Sequence, residues 1–160
     1  MSEDLRPVAV VHSSRAAPTD DGWDAETVWL ELADWLPDEA LDGIEAFSHI
    51  EVIYRFHKAE DAIIYARHPR GNRAWPRVGI FAQRGKDRPN HLGISVCALG
   101  AREGRLLRVR GLDAIDGTPV LDIKPVFRAF LPRGEVREPA WVTEMIGSYW
   151  KSCDEEVEHA

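Results

Sequence analysis

Cysteine and long apolar runs are scarce in this sequence. Cys97 and Cys153 are its two cysteines among 160 residues, without a CxxC pair, so neither a cysteine-built zinc site nor a secreted disulfide scaffold is expected. The longest stretch without Asp, Glu, Lys or Arg is 13 residues, 89–101, whereas a membrane-spanning helix needs about 20. The first six residues lack the apolar core of a secretory signal. We therefore expect a cytoplasmic protein with reduced cysteines and no membrane partner.

Several common catalytic signatures are also missing. The sequence contains no GK[ST] phosphate loop, no GxGxxG opening a helix, no HExxH and no GxSxG, which argues against the enzyme classes that these motifs identify. A nucleophilic role is not expected for Ser95 or Cys97, because both lie on an alternating strand. The histidines show no metal-ligand spacing, so we expect no metal. They are His12, His49, His57, His68, His91 and His159.

The composition is that of one ordinary soluble domain. The chain is 44% hydrophobic and 29% charged, with a net charge of −7, and its length is sufficient to bury a core. Charge is segregated: residues 20–61 hold 13 acidic and two basic side chains, whereas residues 67–88 hold seven basic side chains and one acidic one. This basic stretch indicates either a solvated loop or an anion-binding face, and composition does not choose between them.

Apolar residues that alternate with a period of two predict about seven short β-strands. Alternation or short apolar runs cover residues 8–11, 28–32, 50–56, 78–82, 92–98, 107–110 and 120–123. In the run 92–98, one face is apolar and the other is small; the apolar face holds Leu92, Ile94, Val96 and Ala98, and the small face holds Gly93, Ser95 and Cys97. Seven short strands, many at hairpin spacing, favour a closed barrel or a sandwich, mostly all-β.

Two helical pieces are predicted. Residues 37–41 resemble the first turn of a helix, with acidic side chains near the positive end of the helix dipole. Residues 139–150 begin with a proline and place Trp141, Met145, Ile146 and Tyr149 on one apolar stripe, which is typical of packing against a core or a partner. The acidic end, residues 151–160, is expected to fray.

Two polar bends interrupt the apolar strands. The cationic bend, residues 82–93, carries Arg84, Lys86 and Arg88, and a structural turn needs none of them. We therefore expect it to bind a ligand. The aspartate bend, residues 113–125, carries three aspartates beside apolar strands, where charge is costly unless it is paired or used. Turn capping with an Asp–Arg pair and a binding role both remain open for the aspartate bend.

Five segments together resemble one known family. They are FSHIEVIYRFHK (47–58), HPRG (68–71), VGIFAQR (78–84), RPNHLG (88–93) and GLDAIDGTPVLDIKP (111–125). They occur in the order found in the TsaA-like, or TrmO-like (YaeB-like), family, and the resemblance spans residues 6–131. It implies a small single-sheet antiparallel β-barrel of about seven strands with one or two short helices in residues 1–135. A C-terminal helix and acidic tail would follow in residues 136–160.

The resemblance also implies an activity. Proteins of this family use S-adenosyl-L-methionine without a Rossmann sheet, usually as homodimers, and methylate N6 of threonylcarbamoyl-adenosine next to the anticodon of tRNA. We therefore expect S-adenosyl-L-methionine as cofactor, tRNA as partner and a homodimer. Two alternatives remain: the same cofactor with a small molecule or another RNA as acceptor, and a non-catalytic module that binds the cofactor.

The residues expected to contact the cofactor follow from the resemblance and from the chemistry of the ligand. A guanidinium can grip the methionyl carboxylate in bidentate fashion, carboxylates suit the positive sulfonium, and apolar side chains suit the adenine. The expected contacts are His57, Lys58, Arg84, Arg88, Leu92, Asp113, Ala114, Ile115 and Asp116.

The acceptor nitrogen must lose a proton, so a base is expected at the site. The candidate catalytic residues are Asp122, His57, His91 and Asn90, and the sequence favours none of them. RNA is expected to contact the basic stretch through Arg67, Arg70, Arg73, Arg77 and Lys86. Three departures from the family pattern concern the acceptor: residues 17–21 lack the usual PRQ element, His91 replaces a proline in RPNHLG, and the extra C-terminal domain of many bacterial relatives is not expected here.

Overall fold

The computed structural model describes residues 4–151. The strands in this range are β1 Ala9–His12, β2 Thr27–Leu32, β3 His49–Arg55, β4 Ala66–Arg67, β5 Val78–Gly79, β6 Leu92–Glu103, β7 Leu106–Arg110 and β8 Pro119–Pro125. Six of them close into one antiparallel barrel, in the order β1-β2-β7-β6-β3-β8, and β4 and β5 form a separate two-stranded sheet.

The predicted mostly-β barrel is confirmed, and its strand count is corrected from seven to six. The predicted strand at 78–82 contributes only Val78–Gly79, outside the barrel, and continues as a 3-10 helix at Ile80–Ala82. Its partner, Ala66–Arg67, is two residues long, too short to give an alternation signal. A closed barrel rather than a sandwich forms because β1 pairs with both β2 and β8.

The barrel interior is filled by every second residue of its strands. Val28, Leu30, Ile50, Val52 and Val109 are each no more than 1% exposed. Successive side chains of a strand point to opposite faces, so the polar residues between them lie outside. Each such burial stabilises the fold by roughly 1.5–3 kcal/mol relative to an exposed side chain.

The first half of β6 turns its small residues inward and its apolar residues outward. The cause is Tyr54 of β3, which is paired with Gly93. A Cβ atom on Gly93 would lie 2.6 Å from the Tyr54 ring, so the interior has room only for small side chains there. Leu92, Ile94 and Val96 are consequently 38%, 42% and 52% exposed, and form an apolar strip on the outer surface.

Both predicted helical pieces are present in shorter form. Residues 37–41 contain a 3-10 helix, Asp38–Leu41, and the predicted helix at 139–150 contains α1, Ala140–Met145. The predicted fraying at 151–160 lies, beyond Lys151, outside the described residues. Within 4–151 no helix is long and apolar enough to cross a membrane.

Candidate functional site

One end of the barrel, here called the mouth, gathers most of the predicted site residues. Because all barrel pairings are antiparallel, β1, β3 and β7 end at the mouth, and β2, β6 and β8 begin there. The mouth is therefore surrounded by the β1–β2 loop, the residues that follow β3, the cationic bend before β6 and the β7–β8 loop. The topology thus places the two polar bends at the same end of the barrel.

Asp116 joins two of these loops. Its Oδ1 accepts a hydrogen bond from the Ser13 backbone N–H at 2.9 Å, and its own N–H donates to the Arg15 carbonyl at 2.8 Å. Lys58 Nζ donates to the Ala16 carbonyl at 3.1 Å. The aspartate bend therefore holds the β1–β2 loop on one side, and Lys58, which follows β3, holds it on the other.

Asp113 is the centre of a hydrogen-bond cluster at the mouth. Its Oδ1 accepts the Tyr54 hydroxyl at 3.0 Å and the Ser95 hydroxyl, and its Oδ2 accepts the Tyr149 hydroxyl. Burial and the Asp113 charge raise the pKa of both tyrosines well above the ordinary value. Both phenols therefore remain protonated at neutral pH and donate to the carboxylate.

Sequence reasoning missed the three hydroxyl donors of this cluster. Tyr54 and Ser95 lie on the inward faces of β3 and β6. A hydroxyl on a buried strand face needs a partner, and this need is the sequence feature that points to them. The sequence places Tyr149 on an apolar stripe, and no local pattern indicates that its hydroxyl reaches Asp113, 36 residues away.

The two bends meet on adjacent residues of β6. Arg84 Nη2 donates to the Ile94 carbonyl at 2.7 Å, and Asp113 accepts the hydroxyl of the next residue, Ser95. The Ile94 carbonyl is open to Arg84 because β7 pairs with β6 only from Ala98 onward. Among residues 4–151 no ion pair joins the two bends directly. A cation and a carboxylate therefore flank one short, open stretch of strand edge.

The rest of the cationic bend is a tight turn held by its own backbone. Arg88 Nη1 donates to the Gln83 carbonyl at 2.9 Å. Asn90 and His91 have φ angles of 63° and 51°, a region that residues other than glycine seldom adopt. His91 Nδ1 lies 3.1 Å from the Lys86 carbonyl. Since a carbonyl only accepts, Nδ1 carries the proton in this hydrogen bond, in which Nε2 takes no part.

His57 lies beside the aspartate bend. Its Nε2 is 3.8 Å from the position that a Cβ atom on Gly117 would occupy. Partial desolvation and the neighbouring Lys58 lower the pKa of His57, and Asp116 opposes them. The imidazole is consequently neutral at pH 7 and can accept a proton.

Three other predicted site residues are paired or buried. Asp122 of β8 and its β3 partner Ile53 both lie on the outer face of the barrel. The Asp122 Oδ2 is 2.8 Å from Lys124 Nζ. Ala114 and Ile115 are buried within the β7–β8 loop. In this chain the Asp122 carboxylate is therefore engaged by Lys124, two residues along the same strand.

The thiol of Cys97 is inert. It faces the barrel interior, and burial together with the Asp113 charge raises its pKa to about 12. Among the described residues no cluster of His, Cys, Asp and Glu could hold a metal. A crevice of about 260 Å³ lies beside Thr27, Gly100 and Arg108, and none of the predicted site residues lines it.

The basic stretch is partly neutralised by neighbouring acids. Arg67 and Lys86 both pair with Asp87 at 3.1 Å, and Arg70 pairs with Asp21 at 3.2 Å. Arg73 and Arg77 are exposed and have no hydrogen-bond or ion-pair partner in the described part of the chain. Of the five predicted RNA-binding side chains, these two are the ones left available to an external anion.

The sequence and the fold both match known proteins. The model of the tRNA-methyltransferase O N-terminal domain matches residues 9–130. A probable S-adenosyl-L-methionine-binding protein of Pyrococcus abyssi is 35% identical over 94% of this chain and 82% of its own length. The human tRNA (adenine(37)-N6)-methyltransferase is 38% identical over 64% of this chain and 23% of its own length.

A crystal structure of TrmO from Pseudomonas aeruginosa has the same fold. It superposes with a TM-score of 0.70 at 31% identity and covers 88% of this chain. The chain spans 62% of that solved chain and less than a quarter of the human enzyme. The chain therefore matches only part of the length of each of these two relatives.

Proposed function

The chain belongs to the tRNA-methyltransferase O N-terminal domain family, and on this premise we propose that it is an S-adenosyl-L-methionine-dependent methyltransferase. The observation that carries the proposal is the meeting of the two bends on β6, where Arg84 binds the Ile94 carbonyl and Asp113 binds the Ser95 hydroxyl. A ligand that carries both a carboxylate and a cationic centre matches this arrangement of charges.

The side chains at the mouth fit that cofactor. Arg84 is exposed and uses one nitrogen on Ile94, so the remaining N–H groups of its guanidinium can hold the methionyl carboxylate. Asp113 and Asp116 supply negative charge for the sulfonium, and the buried backbone around Ala114 supplies partners for the adenine. When bound, S-adenosyl-L-methionine supplies an electrophilic methyl group. We propose the other expected contacts, His57, Lys58, Arg88, Leu92 and Ile115, as secondary contributors.

We propose His57 as the group that accepts the proton from the acceptor nitrogen. It is exposed, neutral at pH 7 and next to the aspartate bend. His91 Nε2 is the second candidate, with Asn90 orienting the acceptor from the same turn. Asp122 is the weakest candidate in a single chain, because it is paired with Lys124 on the outer face of the barrel.

We propose that the acceptor is N6 of threonylcarbamoyl-adenosine in tRNA. The name of the human relative supports a tRNA adenine as acceptor, and Arg73 and Arg77 are free to contact phosphate. A different acceptor, such as a small molecule, is the second candidate. It is favoured by the pairing of Arg67, Arg70 and Lys86 with Asp87 and Asp21, which leaves little uncompensated positive charge.

Methyl transfer from labelled cofactor tests both acceptors. The full chain would be incubated with tRNA that carries the threonylcarbamoyl group and with the same tRNA lacking it. Label is expected only in the modified RNA. Label in neither RNA, together with measurable cofactor binding by calorimetry, would reject the tRNA acceptor and leave a small molecule or another RNA as acceptor, or a non-catalytic module that binds the cofactor. Absence of cofactor binding would reject the methyltransferase assignment itself.

We also propose that two copies pack through the outer apolar strip of β6. In register, Arg55 lies beside Leu92, Ile53 beside Ile94, and Glu51 beside Val96. A two-fold axis that lies in the interface at Ile94 and runs perpendicular to the strands would bring Arg55 of one copy against Glu51 of the other, so the strip is complementary to itself. Sedimentation should give a dimer for the wild type and a monomer for Ile94→Asp; a monomeric wild type would contradict this.

A further inference from the structure

A segment outside the matched family domain reaches the mouth. The C-terminal strap, residues 148–150, lies beyond the family match at residues 9–130. The backbone N–H groups of residues 22–24 donate to the carbonyls of Ser148, Tyr149 and Trp150 at 3.3, 3.0 and 3.1 Å. These N–H groups begin the 3-10 helix Trp23–Ala25, where the preceding chain offers no helical acceptor. The strap therefore caps a helix end that would otherwise be unsatisfied.

Aromatic packing fixes the strap in place. Trp23 is 4% exposed, and its ring lies 6.5 Å from that of Tyr149, centroid to centroid. The Arg15 guanidinium stacks on the same indole at 4.1 Å. Preceding the strap, α1 is held through Glu144, which accepts the Trp75 indole N–H at 2.8 Å. Removing the strap would break three backbone hydrogen bonds and expose a buried tryptophan.

The strap ends at the charged centre of the mouth. The Tyr149 hydroxyl donates to Asp113 Oδ2, while the barrel wall supplies both donors to Oδ1. Arg84 and Arg70 also act on the Tyr149 phenol electrostatically. The Tyr149 hydroxyl thus experiences both the negative potential of Asp113 and the positive potential of Arg84 and Arg70.

We propose that Tyr149 is a positioning residue of the cofactor site, and that the C-terminal strap forms a permanent wall of the mouth. The hydroxyl holds the second oxygen of Asp113, so the carboxylate is fixed from the barrel side and from the strap side. A fixed carboxylate meets the cationic centre of a ligand without first losing rotational freedom. The proposal rests on the proposed function, because it assumes that S-adenosyl-L-methionine binds at Asp113.

Calorimetry of the full-length Tyr149→Phe variant with S-adenosyl-L-methionine tests this role. Phenylalanine keeps the ring against Trp23 and removes only the hydroxyl, and Tyr65→Phe makes the same change at an exposed side chain. We expect about a tenfold weaker affinity in Tyr149→Phe, equivalent to about 1.4 kcal/mol, and no change in Tyr65→Phe. Wild-type affinity in a folded Tyr149→Phe variant would overturn the proposal. Failure of the wild type to bind would reject the proposed function instead.

Hydrogen exchange of the wild type gives a second readout that needs no variant. The amides of residues 22–24 report whether the strap is docked, because each is bonded to it. If the strap is a wall, S-adenosyl-L-methionine should slow exchange at these amides several-fold. If the strap instead occupies the place of the cofactor, the ligand would displace it and exchange would accelerate, which would contradict the proposal.

Discussion

The barrel interior and the barrel mouth are built from opposite kinds of residues. Interior positions such as Leu30 and Val52 are apolar, fully buried and contributed by strands with regular alternation. At the mouth, one carboxylate is bound by three hydroxyls that come from β3, β6 and the C-terminal strap. Stability therefore resides mainly in the first region, and the capacity to recognise a charged ligand resides in the second.

The two regions meet at Tyr54. Its ring fills the interior beside Gly93, and its hydroxyl binds Asp113. The apolar core thus supports the polar cluster directly, because the same side chain belongs to both. If this division is correct, interior variants change stability and leave cofactor affinity intact, whereas variants at the mouth do the reverse.

The largest effect is expected from Leu30→Ala in the interior. Loss of a fully buried leucine should reduce the free energy of unfolding by about 3 kcal/mol, which lowers Tm by roughly 10 °C in a chain of this size. The matched change Leu92→Ala, on the outer strip, should lower Tm by less than about 2 °C, with both variants made in the Ile94→Asp background, where the proposed dimer contact is removed. Calorimetric unfolding of both variants checks this, and equal Tm losses would contradict the assigned orientation of β6.

At the mouth, His57→Gln should cost the most activity. Removal of a general base is expected to lower kcat by about 100-fold, with a smaller loss of cofactor affinity, because we also propose His57 as a secondary cofactor contact. Because the pKa of His57 is lowered, and because the base acts when neutral, the acid limb of the wild-type pH profile should lie below the ordinary histidine value of about 6.5. The limb should vanish in the variant. A His57→Gln variant that keeps the wild-type pH profile would indicate that His91, and not His57, is the base.

Arg84→Lys should weaken cofactor binding without affecting stability. Lysine keeps the positive charge and loses the planar fork that grips a carboxylate, so KM for S-adenosyl-L-methionine should rise about 10-fold. Arg133→Lys, at an exposed position after β8, is the control. An unchanged KM in Arg84→Lys would remove the cationic bend from the cofactor site.

The smallest effect is expected from the double variant Arg73→Gln, Arg77→Gln. Loss of two phosphate contacts should reduce the slope of log affinity for tRNA against log salt concentration by about 1.5. Cofactor binding should not change. Filter binding at several salt concentrations measures the slope, and the pair Arg133→Gln, Arg137→Gln is the control. A slope unaffected by the first pair would favour an acceptor other than RNA.

The interior could be predicted from the sequence and the mouth only in part, for a physical reason. Alternation is a local property, so β2, β3 and β7 were located from their own residues. The orientation of β6 was not settled in the same way, because it depends on the size of Tyr54 on a neighbouring strand. Hydrophobicity alone would have put Ile94 inside.

The mouth depends on contacts between distant parts of the chain. Asp113 was recognised because an aspartate beside apolar strands is costly, but its donors Tyr54 and Tyr149 lie 59 and 36 residues away. Similarly, the pairing of Arg70 with Asp21 spans 49 residues, and no composition window reveals that the basic stretch is neutralised there. Charge patterns therefore located the bends, and topology decided which of their side chains remain free.

A crystal structure of the full chain grown with S-adenosyl-L-homocysteine is the most direct test of the central claim. The account predicts that the ligand lies at the mouth, with its carboxylate on Arg84 and its sulfur on the side of Asp113. Ligand bound in the crevice beside Gly100 and Arg108, or anywhere that contacts neither bend, would contradict it.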